Sequence, residues 1–396
     1  MRSARAQSMR VWVKKQAFTV NQLDSWARLI PNGRMQFDDM KRREFLAATV
    51  AAAGSVLTGC LTGPSGANSP LRLGIDNFAV RAMGWNANQL IDYAKELRCD
   101  SLFITDLGPF ESFQDKYLKN VKAYADDQGI KLYIGSWSIC PTSPSFKDTW
   151  GTAEEHLALG IRISKMLGSP AFRVILGSRR DRLTEGGIEA RIDDTVKLLK
   201  ANKNRATDAG IKIAMENHAG DMHSLELVRL VEEAGKDWVG VNMDSGNAVW
   251  TLEDPFENLK NLAPHVLTTS LRDTMAWPSE NGYTAAWTAM GEGLVDWKQY
   301  FAHFAKVCPD APVCIETISG FNRELAVKSD EFWKAWPNGK PKGYKKFEAF
   351  AKRGKPIDTF KAPEGVDRKI AQQNFQKGDI ARSIKYCREI GLGRDR

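Results

Sequence analysis

Phosphate-gripping glycine loops are missing from this chain. Neither GxGxxG nor GxxxxGK[ST] occurs in its 396 residues, so the usual dinucleotide and nucleoside-triphosphate sites are not indicated. The six cysteines (Cys60, Cys99, Cys140, Cys308, Cys314, Cys387) contain no CxxC pair, and hence no zinc-ribbon or redox signature. Cys99 and Cys314 border apolar runs and read as small buried hydrophobes. Histidine is scarce, five in all. No internal repeat is evident, and no apolar run reaches the roughly 20 residues that a membrane-spanning helix needs.

Charge is unevenly spread. The net charge is +8, but residues 1–60 hold ten Lys/Arg against four Asp/Glu, which leaves only +2 for the rest. The basic balance belongs to the leader, so nucleic acid is not an expected partner. Within the leader, residues 40–60 read MKRREFLAATVAAAGSVLTGC. A twin arginine (Arg42-Arg43) before a short Ala-rich run resembles a Tat export signal. Leu57-Thr58-Gly59-Cys60 resembles a lipobox whose Cys60 carries the lipid. The expected location is therefore periplasmic, as a membrane-anchored lipoprotein. Residues 1–39 read as a mis-assigned start or disordered leader, and 61–70 as a linker rich in Gly, Ser and Pro.

From Leu71 onward two patterns alternate. Short apolar runs fall near 71–76, 101–106, 130–135, 171–176, 211–216, 239–244, 266–272 and 312–317. Amphipathic stretches separate them, at 86–97, 114–128, 151–167, 186–209, 222–235, 255–262 and 294–308. Ile188, Ile192, Val196 and Leu199 illustrate the helical spacing of one buried face. Eight strands alternating with helices in about 250 residues predict an α/β fold, a (β/α)8 TIM barrel over 71–320. Residues 321–396 break the rhythm and predict a C-terminal helical extension packed on the barrel, with one helix near Asp367–Ile390.

Catalytic groups in such barrels sit at the carboxyl ends of strands. Glu216, Asp244 and Glu316 end the fifth, sixth and eighth strand candidates, a pattern suited to a hard divalent cation. His218 follows Glu216 by two and points to the same side while the chain stays extended, where it serves as a ligand or proton carrier. Asn247, Ser270, Arg272 and Asp273 are candidate substrate binders on the sixth and seventh strands. Trp137, at the end of the third, offers a face on which a sugar stacks. Arg173 lies inside the fourth and pairs with an interior acid.

The strings IKIAMENHAGD, VGVNMDSGNAV, EDPFENLKNLAPHVLTTSLRD, GEGLVDW and CIET occur in that order. Together they resemble the sugar isomerase/epimerase superfamily with a xylose-isomerase-like barrel. The resemblance implies a divalent metal, Mn or Mg before Co or Zn, held by Glu216, Asp244 and Glu316. The family's histidine stands three residues before the Asp of a strand-seven motif that reads Ser270-Leu271-Arg272-Asp273 here, so Ser270 takes its place. The implied activity is isomerisation or epimerisation of a free sugar, keto-sugar or polyol through an enediolate, with Glu216 and Glu316 moving the proton.

Two alternatives accompany this reading. One is a lyase that shares the first proton abstraction. The other is a non-catalytic sugar-binding barrel, which Ser270 favours. Related barrels that cut abasic DNA hold several metals through many histidines, which this chain lacks. Partners implied are a small carbohydrate, the membrane only through Cys60, and further copies of the chain.

Overall fold

A computed structural model describes residues 71–394; the export motif, Cys60 and the linker lie outside the described residues. The element order is β1 (Leu73–Asp76), α1 (Ala87–Glu96), β2 (Ser101–Ile104), α2 (Asp115–Asp127), β3 (Lys131–Ser138) and α3 (Ala153–Leu167). It continues with β4 (Ala171–Ile175), α4 (Gly187–Ala209), β5 (Lys212–Glu216), α5 (Ser224–Ala234), β6 (Val239–Met243), α6 (Pro255–Leu262) and β7 (Val266–Thr269). Then come β8 (Asp273–Ser279), β9 (Gly282–Thr288), α7 (Trp297–Val307), β10 (Val313–Ile315), β11 (Arg323–Leu325), α8 (Asp330–Trp333), α9 (Tyr344–Ala351) and α10 (Arg368–Glu389).

Eight strands pair in the order β10-β1-β2-β3-β4-β5-β6-β7, all in parallel. A parallel bridge between Leu271 and Ile315 joins the two ends. The molecule is thus the expected TIM barrel. Its strands are short and almost wholly buried because helices cover one face and the barrel interior the other. The α4 stripe Ile188, Ile192, Val196 and Leu199 is buried, as its spacing requires. Helix ends follow local chemistry. Asn86 and Thr152 start α1 and α3 with capping boxes, and Gly168 and Gly210 end α3 and α4 in left-handed conformations that suit glycine.

Periodicity predicts no strand between 273 and 293 or after 321, yet β8, β9 and β11 form a separate antiparallel sheet. Its cue was local: Asn281-Gly282 sits between two alternating runs, and Gly282 adopts φ 144° at the hairpin turn. The last helix docks by specific bonds. Gln376 accepts the Ala82 N–H (2.9 Å), Ser383 that of Met290 (3.0 Å), and Arg388 donates to the Leu97 carbonyl (3.2 Å). Ile380, Ile384 and Cys387 are buried beneath it. The five described cysteines are all buried, and none forms a disulfide among the described residues.

His156 on α3 is buried, with Nε2 2.7 Å from Ser136 Oγ and no partner for Nδ1. Burial lowers its pKa to about 4. The unfolded chain therefore takes up this proton first, near the ordinary pKa of about 6.5. Stability should fall between pH 6.5 and 4 by at most about 3 kcal/mol from this residue. Urea unfolding of the wild type and His156→Gln across that range checks it: the substitution should flatten the slope.

Candidate active site

The carboxyl ends of β1, β5, β6 and β10 each deliver a buried acid: Asp76, Glu216, Asp244 and Glu316. Two buried arginines face them, Arg173 from β4 and Arg272 after β7. Isolated charges this deep would be costly, so each must be paired. Arg173 Nε donates to Glu216 Oε2 (2.5 Å), and its Nη1 donates to the Ser136 carbonyl (2.8 Å). Arg272 Nη2 bonds both Asp244 Oδ2 and Glu316 Oε2, and its guanidinium carbon lies 4.0 Å from the centre of the Trp287 ring. The Nε and Nη1 atoms of Arg272 are buried and have no acceptor among the described residues.

The segment Asp244-Ser245-Gly246-Asn247 is built around that arginine. Asp244 Oδ1 accepts the N–H groups of Gly246 (2.8 Å) and Asn247 (3.0 Å), closing the turn. Ser245 Oγ donates to the Arg272 carbonyl (2.8 Å) and accepts its N–H (3.1 Å), which ties the ends of β6 and β7. Gly246 leaves room for the arginine stem, since a Cβ there would lie 2.3 Å from Arg272 Cγ. Asn247 Nδ2 bonds Asp244 Oδ2 (2.5 Å) and lies 3.5 Å from Glu216 Oε1. Asn217 exchanges two bonds with the Asp244 backbone, donating to its carbonyl (2.8 Å) and accepting its N–H (3.0 Å).

The three predicted carboxylates therefore meet, Asp244 and Glu316 through one nitrogen and Glu216 through Asn247. The prediction missed Asp76 and Asn242. Asn242 donates to Glu216 Oε2 (2.6 Å) and to Ser270 Oγ (3.1 Å). Ser270 in turn donates to Asp76 Oδ2 (2.9 Å). The signal for Asp76 was present, an acid closing the first strand candidate. Asn242 sits inside a strand and gives none.

Other predicted residues are placed differently from one another. His218 Nδ1 is 2.7 Å from the Gly177 carbonyl, and its ring meets Trp137 edge to face at 6.3 Å. Trp137 is 39% exposed and also contacts Phe78, so it forms an aromatic rim. Asn247 positions acids rather than presenting a free amide. Asp273 does not join the group: its oxygens accept the N–H groups of Thr274, Gly291, Gly293 and Val295 and hold that loop.

Electrostatics follow from burial. Desolvation pushes Asp76 up to about 6 and Asp244 to about 7, and raises Glu316 well above the usual range, each against the pull of an arginine. Glu216 is also desolvated, but Arg173 holds it below its ordinary value. Burial lowers His218, which keeps it neutral. Four carboxylates against two guanidiniums leave negative charge in excess.

The donor set does not fit the implied divalent ion as it stands. The place between Asp244 and Glu316 holds the Arg272 guanidinium, and the Ser270 hydroxyl is engaged by Asp76 and Asn242. Among the described residues, no three His, Cys, Asp or Glu side chains are grouped to hold an ion.

The fold is a TIM barrel with a rim of buried acids at the carboxyl ends of its strands. Residues 79–336 match the xylose isomerase-like TIM barrel family, and the chain belongs to it. Among solved structures, D-psicose 3-epimerase with D-fructose aligns over 81% of this chain and 99% of its own (15% identity, TM-score 0.54). The IOLI protein with a bound zinc atom aligns over 72% and 100% (15% identity, TM-score 0.50). The 3-oxo-isoapionate decarboxylase of Pectobacterium atrosepticum is 22% identical over 196 residues, 49% of this chain and 64% of that protein. YihM of Escherichia coli is 28% identical over 105 residues, 26% of this chain and 32% of that protein. The chain thus spans less than two thirds of the length of these curated relatives.

Arg173 is the test of the pairing. Arg173→Met should destabilise the fold by about 3–5 kcal/mol, because it leaves Glu216 buried and unpaired. Arg173→Met/Glu216→Gln should recover part of that loss in urea unfolding; equal destabilisation of single and double variants would contradict it.

Proposed function

We propose that this chain is an enzyme of the sugar isomerase and epimerase kind that moves a proton on a carbon next to a carbonyl. The observation that carries the reading is the meeting of three acids from separate strand ends: Asp244 and Glu316 share the Arg272 guanidinium, and Glu216 joins Asp244 through Asn247. A free sugar, keto-sugar or polyol suits the rim: Trp137 and His218 offer an apolar face with a polar edge. Glu316 bonds one side chain among the described residues, Arg272, and is the group that takes the carbon-bound proton and returns it. Glu216, held by Arg173, Asn242 and Asn247, supplies fixed negative charge beside it. An ion on Glu216, Asp244 and Glu316 would require Arg272 to leave. The motif at residues 40–60 supports a periplasmic, lipid-anchored setting.

A decarboxylating lyase, distinct from the proton-abstracting elimination expected above, draws on a different observation. A cavity of about 470 Å³ adjoins the site, its charged lining made of Arg179, Arg180 and Arg323 with Glu324 and Glu331. Ala219, on its wall, donates to Asn247. Arg323 lies over Trp250 and Arg179 over Phe332, and neither forms an ion pair within 4 Å among the described residues. With three arginines against two glutamates, such a wall favours an anionic 3-keto sugar acid, in which the pair of the C–CO2 bond becomes the enediolate double bond as carbon dioxide leaves.

Incubation with a panel of sugars and sugar acids in deuterated water separates these outcomes. Label at carbon without mass loss marks proton transfer, and carbon dioxide release marks the lyase. Glu316→Gln should lower labelling by about 10²–10⁴-fold with its thermal midpoint kept. Binding with neither label nor gas would leave the silent sugar-binding barrel.

A further inference from the structure

We infer that Arg272 is the electrophile of this site and does the work that a divalent ion would otherwise do. The inference rests on the proton-transfer reading above and names the group that stabilises the charge formed in it.

Three observations support it. One guanidinium nitrogen bridges Asp244 and Glu316, the two acids between which an ion would be shared. The side chain is fixed there, with Trp287 against its face, Ser245 bonded to its backbone and no room at Gly246 for a Cβ. Its Nε and Nη1 remain without an acceptor although buried, so donors stand ready for a ligand oxygen. The neighbouring position that would complete an ion's shell is Ser270, whose hydroxyl is already committed to Asp76 and Asn242.

The step balances without a metal. A carboxylate takes the proton from carbon, and the C–H electron pair forms the enediolate double bond. The carbonyl oxygen becomes an oxyanion that the free N–H donors of Arg272 receive. The proton then returns to carbon, and nothing is oxidised or reduced. The electrophile is thus a group that cannot dissociate.

The test uses the purified full chain, stripped by a chelator and passed over a desalting column. The wild type should take up no stoichiometric Mn²⁺ by calorimetry and elemental analysis, and should keep its deuterium exchange. Arg272→Ala should lose exchange by about 10²–10³-fold, regain part of it with added guanidinium ion, and newly bind Mn²⁺ at the vacated place. If that variant does not fold, Arg272→Lys serves: a single ammonium should bind no Mn²⁺ and retain partial exchange. Exchange lost on stripping and restored by Mn²⁺ overturns the inference while the proton-transfer reading stands. Absence of exchange under all conditions sinks that reading instead. Ion uptake then decides alone: stoichiometric Mn²⁺ in the wild type, lost in Glu216→Gln, overturns the role given to Arg272.

Discussion

Four carboxylates and two guanidiniums buried in one barrel mouth govern the rest of this structure. Desolvating that many ionisable groups is unfavourable unless each finds a partner of opposite sign or a hydrogen-bond donor. The pairing of Arg173 with Glu216, and of Arg272 with Asp244 and Glu316, answers part of that demand. The amides of Asn242 and Asn247 and the hydroxyls of Thr105 and Ser270 answer more, while Asn217 and Ser245 fix the backbones of Asp244 and Arg272. The polar network is therefore both the site and the device that aligns the strand ends around it.

Much of the architecture was legible in the sequence because it is periodic. Each strand run and helical stripe between 71 and 317 has its counterpart in the structure, and the helix ends carry the caps their residues suggest. The antiparallel sheet escaped because its strands obey a two-residue alternation inside a region dominated by the barrel's rhythm. Its Asn-Gly turn was the only local announcement. In the site, acids at strand ends were readable by position. The partners were readable only in part: Arg173 was expected to pair with an interior acid, but which acid, and Asn242 altogether, depend on register within the strands rather than on any motif.

The strand-seven segment Ser270-Leu271-Arg272-Asp273 shows why a motif and its geometry must be considered together. Read as a string, it is a ligand motif with its histidine replaced. In three dimensions the departure is distributed. Ser270 supports Asp76, Leu271 closes the barrel through the bridge to Ile315, Arg272 enters the acid cluster and Asp273 gathers the loop at 291–295. A polar group at position 270 is retained, but it contributes to the acid network rather than to a ligand set.

The Asn217 amide stands in for one more rung of parallel ladder beyond the last true pair of β5 and β6, giving and receiving one backbone bond at Asp244. Only a carboxamide can do both at that length. Aspartate, the same shape, would set a lone pair against a carbonyl oxygen, and leucine would leave a peptide group unanswered. Position 217 is therefore chemically narrow although it touches no reacting atom. The reach of the Asp244 carboxylate toward its neighbours depends on that one side chain copying main-chain chemistry.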